Sequence, residues 1–145
     1  LDDVAKPLPL PNDWSERFEL GVTEFNEGKF YDCHETLERC WQEQGLVPPE
    51  EAESLDPHRQ WVQGLIQISV AYHHLERGNV KGARKLMRRG YDRIKKFPLI
   101  SYPLDLGPFE AIVQSSLDWL EAQPESDLPQ LSVPFPLQFP KVAHK

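Results

Sequence analysis

Gln60-Trp61-Val62-Gln63-Gly64-Leu65-Ile66-Gln67-Ile68-Ser69-Val70-Ala71-Tyr72-His73-His74-Leu75 decides how this chain folds. The stretch fills about four helical turns and is apolar nearly all round, so it belongs inside a helical protein. Yet it carries Gln63, Gln67, His73 and His74. A buried polar side chain needs a partner, because leaving it unpaired costs about 1–3 kcal/mol. What these four residues bond to is the first question about function.

Neighbouring stretches read as helices too. Asp56-Pro57 supplies an N-cap and a first-turn proline for the central helix, and Arg77-Gly78-Asn79 closes it. Upstream, Asn12 or Asp13 caps a helix striped with Trp14, Phe18, Gly21 or Val22, and Phe25, and Gly28 ends it. A second helix spans about Phe30 to Gln44, with Phe30, Cys33, His34, Leu37 and Trp41 on its buried side and Gly45 after it. The short link makes these two an antiparallel hairpin. Downstream, a fourth helix from about Val80 to Lys96 buries Ala83, Leu86, Met87, Gly90, Tyr91 and Ile94, and Pro98 stops it. Gly107-Pro108 opens a fifth, striped with Phe109, Ile112, Val113, Ser116, Leu117 and Leu120. Phe25-Asn26-Glu27-Gly28-Lys29-Phe30 echoes Leu75-Glu76-Arg77-Gly78-Asn79-Val80: each reads as helix, glycine cap, short turn, helix.

The expected architecture is all-α: a compact bundle of about five helices, built from two antiparallel helix hairpins plus a C-terminal helix. Residues 1–12, with Pro7, Pro9 and Pro11, read as an extended lead, and 13–122 as a single helical domain. Residues 123–145 read as an extended proline-rich tail, whose Leu131, Val133, Phe135, Leu137 and Phe139 lie along the bundle or along a partner. Val47–Leu55 is an acidic, proline-broken loop.

A length of 145 residues suits one domain, and a net charge of −7 speaks against a general nucleic-acid coating role. No apolar run reaches the ~18–20 residues of a membrane span. Cys33 and Cys40 on one helix stand about 10 Å apart, beyond the ~7 Å reach of a disulfide, so they read as reduced core thiols. That favours the cytoplasm or another reducing compartment. The N-terminal Leu-Asp-Asp-Val-Ala-Lys is unlike a signal peptide. The missing initiator Met fits processing, including loss of a transit peptide, which keeps the plastid stroma open.

Two constellations carry chemistry. His34 falls in the second helix's apolar stripe and Glu38 flanks it one turn on, with Tyr31 and Glu35 further round. On the central helix Gln63, Gln67, Val70 and His74 share a face, and His73 points about a quarter turn away. Stacked hairpins would bring His34, Glu38, Gln67 and His74 together. The first reading of this polar cluster of His34, Glu38, Gln63, Gln67 and His74 is a closed hydrogen-bond network that fixes packing. The alternative is a divalent metal on His34, Glu38 and His74 (or His73), with a water in the open position and Glu35 as general base. His34-Glu35-Thr36-Leu37-Glu38 matches only half of the His-Glu-x-x-His zinc pattern. His58 and His144 read as solvated. The other constellation is the fourth helix, with Lys81, Arg84, Lys85, Arg88, Arg89, Arg93, Lys95 and Lys96 against the single acid Asp92. It reads first as a solvated face; the alternative is an anion or RNA strip through Arg84, Arg88 and Arg93.

Phe25-Asn26-Glu27-Gly28-Lys29-Phe30-Tyr31-Asp32-Cys33-His34-Glu35-Thr36-Leu37-Glu38-Arg39-Cys40-Trp41 resembles the first signature of the uncharacterised family called domain of unknown function 309. The stretch Gln63 through Ala83 resembles its second. The resemblance covers roughly half the chain. It implies a compact all-helical bundle of no established activity, found in bacteria, archaea and plastid-bearing eukaryotes. His34, Glu35, Glu38, Trp41, Gln63, Gln67 and Gly78 fall within the signature. This chain departs from it at Cys33, where the family carries a small residue, and in the longer Val47–Leu55 loop. The functional expectation is a soluble, non-catalytic helical module that engages a partner protein or a second copy of itself. A small metal-dependent hydrolase using His34, Glu38 and His74 is the runner-up.

Overall fold

Gly28 and Gly78 each adopt a φ of +79°, the left-handed conformation that glycine enters without steric cost. Each reverses the chain between two helices. In the computed structural model, which describes residues 14–43, 57–97, 104–123 and 140–144, α1 (Trp14–Asn26) leads through Gly28 into α2 (Phe30–Glu43). α3 (Pro57–Glu76) leads through Gly78 into α4 (Val80–Lys96). At the first corner Gly28 N–H donates to Phe25 C=O at 3.0 Å and Lys29 N–H to Glu24 C=O at 2.9 Å. At the second, Gly78 N–H donates to Leu75 C=O at 3.0 Å and Asn79 N–H to His74 C=O at 2.9 Å. Both are Schellman motifs, which satisfy the carbonyls a helix end leaves over. The sequence echo is thus one turn used twice. Asn79 also accepts from Gly82 N–H at 2.9 Å through its side chain, a cap that Lys29, with no acceptor, cannot offer at the matching position.

The remaining described elements are β1 (Leu104–Asp105), α5 (Gly107–Glu121) and β2 (Ala143–His144), with Leu104 opposite His144 and Asp105 opposite Ala143 in an antiparallel pair. α2 packs on α3, and α5 packs on α4. The expected all-α bundle of two hairpins and a C-terminal helix is what the chain forms. Asn12, Asp13, Gly45, the Val47–Leu55 stretch, Pro98 and residues 124–139 lie outside the described residues.

α3 runs through the core. Trp61, Leu65, Ile68, Ala71, Tyr72 and Leu75 are all fully buried. Tyr72 stacks on Phe30 with centroids 5.3 Å apart, and Phe25 meets Phe30, Tyr72 and Phe109 edge-on at 5.3, 6.1 and 5.7 Å. Edge-to-face and offset-stacked pairs are the favoured arrangements of aromatic quadrupoles. The aromatic side chains beside the first corner thus lock both hairpins to α5. Ser116 O–H donates to Ile112 C=O at 3.0 Å, so it accepts from Tyr72 O–H at 2.7 Å. Leu86 and Tyr91, read as buried from periodicity, are only half-buried against this core.

Between α3 and α4 the backbones nearly touch. A Cβ on Gly90 would lie 2.7 Å from the Gly64 carbonyl oxygen, and one on Gly64 would lie 3.0 Å from the Gly90 carbonyl oxygen. No side chain fits on either residue without moving main chain. The C-terminal segment closes the other end. Asn26 donates from its side-chain amide to Val142 C=O at 2.9 Å and accepts from Val142 N–H at 2.6 Å. Val142 is buried in the core.

Gly90→Ala must force α3 and α4 apart, so we expect a loss of about 1–3 kcal/mol, the usual range for overpacking, read as a lower urea midpoint at unchanged slope. Asn26→Ala strands both backbone groups of Val142, and faster amide exchange at Val142 with the helices still protected is the expected signature.

Candidate functional site

The site is the seam between α2 and α3. His34, one-quarter exposed, points its Nε2 at Glu38 Oε2 across 3.5 Å, an i,i+4 contact along α2. That distance is long for a direct hydrogen bond, and the Glu38 side chain is half in solvent. His34 Nδ1 is buried and has no hydrogen-bond partner among the described residues. The Tyr31 ring lies 5.8 Å from that of His34 and 5.7 Å from that of His73. Phe30, Tyr31, His34, Val70 and His73 enclose a small apolar pocket of about 110 Å³.

The structure does not assemble the convergence of His34, Glu38, Gln67 and His74. His73, not His74, reaches the α2 side. His74 Nδ1 instead accepts from the Asn79 side-chain amide at 3.2 Å, at the second corner. Gln67 turns toward α4: its Cβ would sit 3.1 Å from a Cβ on Gly90, and its buried Oε1 has no hydrogen-bond partner among the described residues. Gln63 is half-buried, on the same edge of α3. The reason is the rotation of α3 about its axis. Ser69 touches Cys33 of α2, and His73 follows Ser69 one turn on, so His73 shares the buried seam.

Among the described residues, no group of three His, Cys, Asp or Glu side chains is placed to hold a metal ion. The candidate triad His34, Glu38 and His74 is divided between the seam and the corner. Glu35, the candidate base, is exposed and opens onto a different cleft of about 440 Å³, lined by Glu24, Asp32, Glu35, Thr36, Glu38 and Arg39.

Protonation states follow the burial. His73 is held below the ordinary histidine value, first by desolvation and then by the positive charges of Arg77, His74 and His34. It is therefore neutral where an unperturbed histidine begins to charge. Burial, reinforced by Glu24, pushes the Cys33 thiol well above the usual range, so it behaves as a small core residue rather than a nucleophile. Cys40 is likewise buried, and the two thiols are not joined in a disulfide.

Arg59 escaped the sequence reading. It is 3 % exposed, and its guanidinium lies 4.0 Å over the Trp41 ring, a cation–π contact between α3 and α2. No local pattern joins residues so far apart; the only hint was a tryptophan on one helix and an arginine in the first turn of its neighbour. Part of the basic strip of α4 is engaged within the fold. Arg84 donates to Leu120 C=O and Gln123 C=O, both at 3.0 Å, and Arg88 pairs with Glu121. Both cations thus sit at the C-terminal end of α5, where the helix dipole favours positive charge. Arg93 donates to the Gln60 side chain, tying α4 to the start of α3.

For His73 the linkage has a definite sign. A depressed native pKa means the unfolded chain binds the proton more readily, so stability rises with pH across the window between the native value and ~6.5. It is fully present above ~6.5 and lost as pH falls through the native value. His73→Gln should flatten this part of the stability profile, and NMR should show His73 titrating below a model histidine. His34→Gln, which removes one repelling charge, should move that titration upward.

Comparison with known proteins follows the same stretch. The family model described as Domain of unknown function (DUF309) matches residues 18–86, from Phe18 of α1 through the first half of α4. "Uncharacterized protein YpuF" of Bacillus subtilis (strain 168) is 41% identical over 58 residues, which is 40% of this chain. The match spans 28% of that relative's own length. Among the described residues no helix is long and apolar enough to cross a membrane. The resemblance to the DUF309 family thus holds over residues 18–86, the part that carries both glycine corners and every residue of the His34–His73 pocket.

Proposed function

We propose that this chain is a non-catalytic helical docking module that takes one apolar side chain of a partner protein into the pocket between α2 and α3. The size and lining of that pocket carry the reading. At about 110 Å³ it is smaller than the ~300–1,000 Å³ typical of small-molecule sites, and it suits a single aliphatic side chain. Phe30 and Val70 supply apolar walls. Tyr31 stands at the lip, 54% exposed, one of the large hydrophobic residues the described surface leaves open. Aromatic residues of this kind are common anchors at protein interfaces. A neutral His73 lets the pocket be desolvated without burying a charge on that wall. The His34–Glu38 pair supplies polar groups to the rim. It offers two ligands from one helix, with no third described residue to join them, so a hydrolytic metal centre finds less support.

A photo-cross-linking amino acid at position 31 should trap a discrete protein adduct. Val70→Phe, which fills the pocket from within, should abolish the adduct while the melting temperature stays within a few degrees. Tyr31→Ala should weaken the isolated complex by about 2 kcal/mol. An adduct that persists undiminished in Val70→Phe would sink the reading.

A further inference from the structure

Along α4, Gln60, Arg89, Asp92, Arg93, Lys96 and Phe97 line a cleft of about 490 Å³. Its charge is out of keeping with the chain, whose net charge is −7. Arg89, Arg93 and Lys96 follow one another at four and three residues, so they share a helix face and repel one another. No carboxylate among the described residues pairs with Arg89 or Lys96. Asp92, the one acid among the described residues of the cleft, is drawn to Arg88 at 3.6 Å. Gln60 is 2 % exposed and gives its side-chain oxygen to Arg93. Arg93 Nε is buried and finds no acceptor among the described residues. Phe97 adds an apolar wall, with Lys96 Nζ 5.4 Å from its ring centroid.

A cluster of cations round a cleft, two of them with no carboxylate partner among the described residues, is complementary to an anion. We propose that this cleft binds a small phosphorylated ligand. The phosphoryl oxygens lie among Arg89, Arg93 and Lys96. The organic body lies against Phe97. Guanidinium groups match phosphate in geometry as well as charge, and the volume falls in the range of small-ligand sites. The site is separate from Arg84 and Arg88, which serve α5, and from the α2–α3 pocket.

Inorganic pyrophosphate is the probe, titrated calorimetrically into the full chain at low salt. One saturable site is expected. Arg89→Gln and Lys96→Gln, both exposed, should each weaken it roughly tenfold at unchanged melting temperature. Lys81→Gln, on α4 but outside the cleft, should leave it as it is. A parallel arm measures co-sedimentation with phosphatidylcholine vesicles containing phosphatidylserine, where no binding is expected. Absence of saturable pyrophosphate binding, equal affinity in the Arg89→Gln and Lys81→Gln variants, or binding confined to the vesicles would each overturn the proposal.

Discussion

The contact between Gly64 and Gly90 sets the rotation of the central helix, and the rest of the structure depends on that rotation. Ridge-and-groove packing tolerates small rotations, but a backbone-to-backbone contact does not. With Gly64 against α4, every other residue of α3 has a fixed direction. His73 is nine residues further on, which at ~100° per residue places it roughly half a turn round from Gly64. That is the α2 side, where it meets Tyr31. His74 is one residue beyond, swung away from the seam and onto Asn79. Two glycines with no chemistry of their own therefore decide which histidine borders the pocket.

The architecture was legible because its punctuation is local. A glycine after an amphipathic stretch announces a helix end wherever it occurs, so both corners could be placed from sequence, and their shared motif with them. The site was legible only in part. His34 and Glu38 lie on one helix, and their contact follows from spacing alone. Which face of the central helix meets them does not, because a helix that is apolar nearly all round has no periodic signal to fix its phase. The clue that was available is Gly64 itself. A glycine inside a helix costs up to ~1 kcal/mol relative to alanine, so its presence in mid-helix calls for a packing reason.

The polar residues of α3 also divide differently from a single network. Ser69 O–H donates to Ile66 C=O at 2.7 Å, one turn back on its own helix. Tyr72 reaches Ser116 of α5, His74 reaches Asn79, and Gln60 receives Arg93. Each is a small local arrangement serving a different neighbour. Dispersal of this kind fixes the helix against α4, α5 and the corner separately, and it leaves the α2 seam mainly apolar. The docking proposed for this chain relies on that apolar seam and its small pocket.

The segment matched to the family does not complete the core by itself. Phe109 and Val142, both buried, lie beyond residue 86, where the match ends. Asn26 belongs to the matched segment and stands at the last position of α1, next to the first corner. A primary amide carries a donor and an acceptor side by side, as a strand residue does, so one side chain satisfies both backbone groups of Val142. The pairing of β1 with β2 holds the same segment from the other side, through the residues that lead into α5. The chain end is thus fastened at once to the first hairpin and to the approach to α5. Because Phe25 lies one residue before Asn26 and packs on Phe30, Tyr72 and Phe109, this fastening acts on the aromatic cluster that joins both hairpins to α5. Phe30 belongs to that cluster and to the wall of the pocket, so the C-terminal segment supports the site without touching it.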